Sequence, residues 1–336
     1  MLRANPSQLW DAGSGVYRTL VTGSGGGSRR TNGRAPTQPD MMDPMGTGVR
    51  SVIVTGAGGQ LGKQLSTRAE GTVRALTSAD LDITDEQSVQ SVLGDIGPRD
   101  VVINCAAYTA VDAAEDDRET AMAVNGTGPG HMARLTARTG ANLVHISTDY
   151  VFTGVASGPL EPDDPTGPAS VYGISKLAGE KAVRSADADA TIVRTAWVYT
   201  GMPGSSDFVS TMRRLESQRD TVSVVTDQVG SPTYSADLAD GLLELSEQVV
   251  HGDSRARGAT LHASNAGSCS WFDLAQAVFA EIGADPARVL PTTSADFPRP
   301  APRPAYSVLS GRAWQEAGLT PLREWRSALS VALHVR

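Results

Sequence analysis

Residues 51–62 read Ser-Val-Ile-Val-Thr-Gly-Ala-Gly-Gly-Gln-Leu-Gly, and this stretch decides the fold. The apolar, β-branched run SVIVT is typical of a buried strand, and an amphipathic segment typical of a helix begins at Gln60. Between them, Gly56, Gly59 and Gly62 have the spacing GxxGxxG. Glycines at such a turn let backbone N–H groups approach a pyrophosphate and let the helix pack on the strand. The stretch therefore predicts a Rossmann-type dinucleotide site, with an ordinary glycine-rich turn as the alternative.

The same alternation continues to about residue 197. Apolar runs typical of buried strands recur as TVRALT, DVVINC, NLVHIS and ATIVRT. The segments between them predict helices over 60–69, 85–93 and about 119–139, and a further helix that contains VYGISKLAGE. Thr84 with Gln87 is expected to cap the second helix. Five strands separated by helices predict an α/β fold with a doubly wound parallel sheet.

The alternation of strand-like and helix-like segments becomes less regular beyond Trp197. Helical patterns cover 208–216, 236–248 and 271–282, with a strand-like ATLHAS and a proline-rich PRPAPRP between and after them. We therefore expect a Rossmann domain over residues 50–200. A smaller α/β substrate-binding lobe is expected mainly over 201–336, with some of the chain returning to the Rossmann domain. Residues 1–49 show no apolar periodicity and predict a disordered leader.

Composition excludes several classes of function. The net charge of -8 and pI of about 5.2 disfavour a nucleic-acid partner, because such a partner needs clustered cations. No apolar run reaches the roughly 18 residues that span a bilayer, and no signal-peptide core is visible, so we expect a cytoplasmic protein with no membrane partner. The two cysteines and five histidines have no ligand spacing, so no metal site is expected.

Tyr172 and Lys176 in VYGISKLAGE form the first candidate catalytic pair. Residues four apart lie above one another on a helix, so the lysine ammonium can sit near the phenol. Together with an oxidised nicotinamide, that charge would lower the phenol pKa toward neutrality and suit Tyr172 to general acid/base work. The alternative is coincidence, which is expected only roughly 0.06 times in a chain with so few lysines.

Polar side chains end the fourth predicted strand in HISTDY, where Ser147, Thr148 and Asp149 reach the carboxyl edge of the sheet. Ligands of open α/β sheets bind at that edge. A hydroxyl there can hydrogen-bond a substrate carbonyl and share proton transfer with Tyr172. A strand-end cap is the structural alternative.

The second predicted strand ends in Thr77 and Ser78, where an acidic residue would favour NAD. Small hydroxyls leave room for a 2′-phosphate, although no arginine stands beside them. The sequence therefore favours NADPH, with NADH possible. Asp82 and Ile83 are placed to contact the adenine, and a structural role next to the helix is the alternative.

Six motifs, in order, give the chain a family resemblance: TGAGGQLG, NCAAYTAVDAAE, STDYVF, VYGISKLAGE, RTAWVY and DQVGSPT. Over roughly residues 51–330 it resembles the dTDP-4-dehydrorhamnose reductases of the extended short-chain dehydrogenase/reductase superfamily. The resemblance implies reduction of the C4 ketone of dTDP-4-dehydro-β-L-rhamnose to dTDP-β-L-rhamnose by a nicotinamide cofactor. This is the last step of dTDP-rhamnose biosynthesis.

The resemblance also implies roles for individual residues. Tyr172 would protonate the carbonyl oxygen, Lys176 would hold the ribose and tune Tyr172, and Thr148 would polarise the carbonyl. The matching sugar contacts are Thr148, Asp149 and Trp197; the pyrophosphate contacts are Gly59, Gln60 and Leu61; the adenine contacts are Asp82 and Ile83; the cofactor wall is Ala107, Tyr108 and Thr109. Without the resemblance, Trp197 would be read as a core residue.

Arg303 in PRPAPRP is the candidate for the substrate diphosphate, because a guanidinium binds phosphate oxygens bidentately. Arg299 competes for that role, and simple surface exposure is the alternative for both.

Two departures from the family bear on partners and cofactor. Some members dimerise around magnesium held by glutamates, but Gln64 and Ala236 stand at those positions, so we expect a monomer or weak homodimer. Thr77 replaces the acid that some relatives have, which leaves the choice between NADPH and NADH open.

Other functions within and beyond the superfamily remain as alternatives. Nucleotide-sugar dehydratases have Asp-Glu after the threonine, where this chain has Asp149 and Tyr150. Another nucleotide-sugar 4-ketoreductase, an epimerase, or a dinucleotide-binding regulatory subunit without turnover are the competing interpretations.

Overall fold

The computed structural model describes residues 48–68, 73–251 and 254–334. The predicted leader therefore lies outside the described residues, except for Gly48 and Val49. None of the helices within the described ranges is long and apolar enough to cross a membrane.

The described strands and helices alternate through the first half of the chain. The strands are β1 Ser51–Thr55, β2 Val73–Leu76, β3 Asp100–Asn104, β4 Asn142–Thr148, β5 Thr191–Thr195, β6 Val198–Tyr199, β7 Val222–Val225, β8 Val229–Gly230, β9 Thr233–Tyr234, β10 Thr260–His262, β11 Cys269–Ser270 and β12 Val289–Thr292. The helices are α1 Gln60–Arg68, α2 Glu86–Leu93, α3 Ala113–Asp116, α4 Arg118–Met122, α5 Gly128–Thr139, α6 Val171–Ala186, α7 Phe208–Glu216, α8 Ser235–Val250, α9 Trp271–Glu281, α10 Arg312–Glu316 and α11 Trp325–His334.

A parallel sheet in the order β10-β5-β4-β3-β1-β2 forms the centre of the fold. The chain runs from β1 out to β2 and then returns to β3 on the other side of β1, so the strand order reverses between β1 and β3. A crevice opens at the carboxyl ends of the strands where such a reversal occurs. The α/β fold class with a doubly wound parallel sheet is confirmed.

The central sheet has six strands, so the expectation of five was wrong. ATLHAS, assigned from sequence to the smaller lobe, contains β10, which pairs with β5 through Thr260↔Ile192 and Leu261↔Val193. The strand lies some distance along the chain from β5, and pairing between such distant segments leaves no local pattern.

Both faces of the sheet are buried. Val52 and Val54 of β1 pack into one apolar cluster with residues of α1 and α8. Ile53 points to the opposite face and joins residues of α2 and α5. Because both faces are covered by helices, the strands read as near-continuous apolar runs.

The predicted helix over 119–139 is divided into three parts. A π-helical turn at Ala123–Thr127 separates α4 from α5. The extra residue in such a turn redirects a side chain, and here Asn125 is fully buried. The cap of α2 also differs from expectation: Asp85, not Thr84, accepts the Gln87 N–H at 2.9 Å. A carboxylate at the N-cap suits the exposed N–H groups and the helix dipole.

The second half of the chain builds its own apolar cluster. It includes Met212 of α7, Phe279 of α9 and Leu329 of α11. By contrast, α8 packs against α1 and the central sheet. The division into a Rossmann domain and a substrate lobe stays a prediction.

Candidate active site

A cleft of about 940 Å³ opens where the carboxyl ends of the sheet strands meet the second half of the chain. All the residues predicted for the site line it: Gly56, Gly59, Gln60, Leu61, Gly62, Asp82, Ile83, Ala107, Tyr108, Thr109, Thr148, Asp149, Tyr172, Lys176, Trp197 and Arg303. The structure thus brings together residues from distant parts of the chain, while their individual roles stay predictions.

The glycine-rich loop is tightly packed on one side and open on the other. Gly56 has φ +66°, and a Cβ there would lie 2.6 Å from the Ala106 backbone nitrogen. A Cβ on Gly62 would lie 2.6 Å from the Ala57 Cα. A Cβ on Gly58 would meet nothing within 4 Å. The loop therefore leaves open space beside Gly58, before the start of α1, where a helix N-terminus can bind a pyrophosphate.

Local hydrogen bonds order the end of the cleft that is predicted to bind the adenosine. Asp82 Oδ1 accepts the Thr84 N–H at 2.9 Å and its hydroxyl at 2.7 Å, and these bonds lower the Asp82 pKa. Asp80 Oδ2 accepts the Thr77 N–H and hydroxyl in the same way. Ile83 is buried. Asp82 therefore has a structural role in its turn besides the predicted adenine contact.

The loop after β3 is fixed by Asn125. Its Oδ1 accepts the Tyr108 N–H at 2.8 Å, and its Nδ2 donates to the Tyr108 carbonyl at 2.9 Å and to Ser175 Oγ at 3.0 Å. Ser175 Oγ in turn donates to the Tyr172 carbonyl at 2.7 Å. One buried amide therefore joins the predicted cofactor wall to α6. No sequence pattern indicated Asn125, because its position depends on the π-helical turn.

Tyr172 lies in the first turn of α6. Ser170 caps this helix by accepting the Gly173 N–H at 3.1 Å. Burial raises the pKa of Tyr172 to about 12, Asp149 adds to the rise, and a hydrogen bond with the Thr148 hydroxyl opposes it. The sequence predicted a pKa lowered by Lys176 and an oxidised nicotinamide together. In the protein by itself burial outweighs every other cause, because the phenolate loses its hydration.

Lys176 is buried one helical turn further along α6. Its Nζ donates to the Ile146 carbonyl of β4 at 2.7 Å. Burial lowers the pKa of Lys176 to about 8, while the nearby Glu180 and Cys105 act in the opposite direction. The ammonium is therefore held at the carboxyl end of β4, on the same wall of the cleft as Tyr172.

Thr148 and Asp149 follow at the end of β4. Thr148 Oγ1 donates to Asp149 Oδ1 at 3.0 Å. Asp149 Oδ2 is buried and has no hydrogen-bond partner among the described residues. Burial raises the pKa of Asp149 to about 6, against hydrogen bonds from Ser307 and Thr148. A carboxyl with one unused oxygen at the cleft wall can accept a hydrogen bond from a hydroxyl of a bound ligand.

Trp197 has an unusual backbone and an aromatic neighbour that the sequence did not reveal. Its φ is +48°, a left-handed conformation that costs a residue other than glycine about 1–3 kcal/mol. Its ring stacks on Trp271 with the centroids 3.5 Å apart. Trp271 also lines the cleft, so the wall at this end is aromatic.

Arg303 is less available than the sequence suggested. It forms an ion pair of 2.9 Å with Asp112, whose Oδ2 also accepts from Arg299 Nη2 at 2.6 Å. Arg303 still lines the cleft, whereas Arg299 does not appear on its wall. Both guanidinium groups therefore share the Asp112 carboxylate. In the described part of the chain, no three His, Cys, Asp or Glu side chains group as metal ligands.

The fold and this site are those of a Rossmann-type reductase, with a glycine-rich loop at the switch point and a tyrosine and lysine one turn apart in the same cleft. A family model described as the RmlD substrate binding domain matches residues 50–335. The chain belongs to that family, the dTDP-4-dehydrorhamnose reductases, as its motifs predicted.

Individual relatives agree with the family match. A dTDP-4-dehydrorhamnose reductase of Mycobacterium tuberculosis is 56% identical over 282 residues, which cover 82% of this chain and 90% of the relative. A probable dTDP-4,6-dihydroxy-2-methyloxan-3-one 4-ketoreductase of Streptomyces antibioticus is 48% identical and covers 82% of this chain and 91% of the relative. A crystal structure of a Bacillus anthracis dTDP-4-dehydrorhamnose reductase in complex with NADP has a TM-score of 0.77 and 39% identity, covering 84% of this chain and 97% of that one.

Proposed function

We propose that this chain reduces the C4 ketone of dTDP-4-dehydro-β-L-rhamnose to give dTDP-β-L-rhamnose, the last step of dTDP-rhamnose biosynthesis. The observation that carries the proposal is the presence of Thr148, Tyr172 and Lys176 on the wall of one cleft. A 56% identical relative that bears this activity in its name supports the choice of substrate.

The cleft residues fit a nicotinamide dinucleotide. The N–H groups at the start of α1, around Gly58, would hold the pyrophosphate, and Asp82 and Ile83 would contact the adenine. Lys176 would hold the ribose next to the nicotinamide. We propose NADPH as the cofactor, with NADH able to replace it; when bound, it supplies the hydride. The NADP complex of a structural relative supports this choice.

Tyr172 is the proposed proton donor. With its pKa raised to about 12, the phenol is protonated at neutral pH and able to give its proton to the carbonyl oxygen. The Thr148 hydroxyl would donate a hydrogen bond to the same oxygen and polarise the ketone. The Lys176 ammonium would favour the phenolate left after proton transfer. Asp149 would orient the sugar through its unused oxygen, and Trp197 would pack against the ring.

Arg303 is the proposed contact for the diphosphate of the substrate. Arg303 would meet the substrate diphosphate while Asp112 holds its guanidinium in place. A guanidinium has more N–H donors than one carboxylate uses, so the ion pair leaves donors for phosphate oxygens.

A second candidate keeps the chemistry and changes the sugar. The Streptomyces antibioticus relative, at 48% identity, has a name that describes reduction of a different dTDP-linked ketone. Reduction of another dTDP-deoxy-ketosugar at C4 is therefore the alternative function, and comparing kcat/KM for the two dTDP-sugars separates it from the first.

The test supplies dTDP-4-dehydrorhamnose and follows the oxidation of NADPH. We expect turnover by the intact protein and a fall of about 10²- to 10⁴-fold in kcat for Tyr172→Phe, because the positioned acid is removed. NADPH binding, measured by fluorescence titration, should survive in that variant. Tyr306→Phe is the matched control, since Tyr306 lies off the cleft wall. Absence of NADPH oxidation by the intact protein would refute the function, and unchanged turnover by Tyr172→Phe would refute the proton donor.

We further propose a cytoplasmic monomer or weak homodimer. Both cysteines within the described ranges are free thiols, which agrees with a reducing compartment. At the two positions where some relatives place magnesium-binding glutamates, Gln64 accepts a hydrogen bond from Arg68 and Ala236 is buried. Neither offers a carboxylate for a metal-linked dimer. Sedimentation with and without magnesium chelation tests this point.

A further inference from the structure

Trp197 is held on two sides by parts of the chain that the sequence does not connect. Its ring lies parallel to that of Trp271, with an interplanar angle of 7°. Gly230 touches the side of the indole that carries Nε1, where an added Cβ would lie 2.5 Å from Cε2 and 2.8 Å from Nε1. The indole therefore has no room to move toward Gly230 or Trp271.

The strand pairing explains why these residues meet. In the antiparallel pair of β8 with β11, Gly230 lies opposite Cys269. The chain leaves β11 directly into α9, whose first residue is Trp271. A capping box fixes that start, because Ser270 Oγ accepts the Asp273 N–H at 3.0 Å and Asp273 Oδ2 accepts the Ser270 N–H at 3.0 Å. The ring of Trp271 is thus set by a hydrogen-bonded helix end.

A third aromatic residue supports the stack from behind. Phe208, the first residue of α7, lies against Trp271 with the centroids 4.5 Å apart. Asp207 caps that helix by accepting the Ser210 N–H at 2.8 Å. Phe208, Trp271 and Trp197 all line the cleft, so an aromatic row leads from the second half of the chain to the predicted sugar site.

We propose that Trp271 is a positioning residue that holds Trp197 in its left-handed conformation and so presents the Trp197 indole to the sugar ring of the substrate. The proposal rests on the proposed function, because it concerns the same site and a deoxyhexose linked to a nucleotide diphosphate. A left-handed backbone at a residue other than glycine persists only where neighbours hold it. The stack with Trp271 and the contact with Gly230 are such neighbours of the side chain, and the Thr233 N–H, which donates to the Trp197 carbonyl at 3.2 Å, holds the backbone.

The main test compares Trp271→Leu with Trp271→Phe. Leucine removes the aromatic face, and we expect KM for the dTDP-sugar to rise roughly three- to tenfold, with kcat and the NADPH dissociation constant changed less than about twofold. Phenylalanine keeps a smaller ring and should recover most of the affinity. Two stacked indoles also give an exciton couplet in far-UV circular dichroism, which both substitutions should abolish because each removes one indole.

A second variant displaces Trp197 without replacing either tryptophan. Gly230→Ala places a methyl group against the indole, so the stack must open and the couplet should weaken, with a similar rise in KM for the dTDP-sugar. Gly97→Ala is the matched control, because a Cβ at Gly97 meets nothing within 4 Å. Trp314→Phe, a buried tryptophan off the cleft wall, controls for a general loss of stability. Both controls should keep the couplet and the wild-type KM.

The outcomes separate this proposal from the function. A couplet that persists in Trp271→Leu, or a KM for the dTDP-sugar within about twofold of wild type in that variant, would overturn the positioning role. If the wild-type protein does not oxidise NADPH, the proposed function fails, and calorimetric binding of dTDP-rhamnose decides the role of Trp271 instead. Equal affinity in wild type and Trp271→Leu would then refute it. If Trp271→Leu does not fold, Gly230→Ala gives the same decision, because it should raise KM for the dTDP-sugar to a similar extent.

Discussion

At the scale of single residues, Lys176 shows most clearly that a residue placed for the predicted site can lower the stability of the fold. The Lys176 ammonium is almost fully buried and donates a hydrogen bond to the Ile146 carbonyl. Burial lowers its pKa to about 8, although Glu180 favours the charge. A cation placed there has a predicted use in holding a ribose, but it lowers the stability of the folded protein at neutral pH.

This competition predicts how stability depends on pH. Between the folded pKa of about 8 and the ordinary value of 10.5, the unfolded chain binds more protons at Lys176 than the folded protein does. The contribution of Lys176 to the free energy of unfolding should therefore rise by about 2 kcal/mol between pH 8 and pH 10. Denaturant unfolding of wild type and Lys176→Met over this range measures it, because titration of the other groups cancels in the difference.

Lys181→Met is the control for that measurement. Lys181 lies on the same helix but is exposed. Its difference from wild type should stay level with pH. A flat difference for Lys176→Met as well would mean that Lys176 is not held as a buried cation.

At the scale of elements, a buried ionic network fixes α6, the helix that contains the predicted catalytic pair, to the sheet. Arg194 of β5 donates to Glu180 through Nε at 2.9 Å and Nη2 at 2.8 Å. Ser147 of β4 donates to the same carboxylate at 2.5 Å. The side chains of the ion pair are each only 6% exposed. Glu180 lies one turn beyond Lys176, so the network holds the helix near the residue whose charge it supports.

Removing one partner of this pair should be strongly destabilising. Arg194→Met leaves a buried carboxylate without its cation, and we expect a loss of about 3–5 kcal/mol in the free energy of unfolding. Arg194→Met combined with Glu180→Met should lose less than either single change, because the buried carboxylate and its cation are removed together. Denaturant unfolding of the four proteins gives the coupling energy.

The exposed pair of Arg134 with Glu86 provides a matched cycle between two helices. Its side chains are 48% and 61% exposed, so its coupling energy should stay below about 1 kcal/mol. Equal coupling in the two cycles would contradict the view that burial gives the Arg194–Glu180 pair its importance.

The sequence predicted α6 and its catalytic pair because both depend on local spacing. The i, i+4 relation of Tyr172 and Lys176 needs only a helix. Glu180 lies on the same helix, but its partner Arg194 comes from β5, and nothing within either segment indicates that they meet. The π-helical turn that buries Asn125 was missed for the same reason, because it is stabilised by bonds to Tyr108 and Ser175.

At the scale of the whole molecule, the sheet and the cleft could be predicted, whereas the contacts that close the cleft could not. Alternating runs identified β1 to β5, and the carboxyl edge of a parallel sheet brings the ends of distant strands together. The strand β10 and the stack of Trp271 on Trp197 depend on how the second half of the chain folds back. No periodic pattern in the sequence predicts how the second half of the chain folds back onto the sheet. Only the family resemblance placed Trp197 at the site.

The ion cluster at Asp112 joins the two halves of the chain across the cleft. Asp112 follows β3 and is 12% exposed, and Arg303 comes from the proline-rich run 298–304. The Ala301 N–H also donates to Asp112 Oδ1 at 3.2 Å. Because prolines stiffen this run, the carboxylate anchors it at several points and sets where Arg303 meets the cleft.

Asp112→Asn should release that anchor while keeping the side-chain shape. The two guanidinium groups would then lose the carboxylate that they share, and we expect the free energy of unfolding to fall by about 2 kcal/mol. Backbone amides of 298–304 should exchange hydrogen faster, and KM for the dTDP-sugar should rise. Added salt should recover part of the stability, because it screens the repulsion between the two cations.

The control is Asp116→Asn, which replaces an exposed residue of the neighbouring helix α3 and should change none of these quantities. If the backbone amides of 298–304 exchange hydrogen at the wild-type rate in Asp112→Asn, the ion cluster does not fix this run. The prolines themselves must then position Arg303.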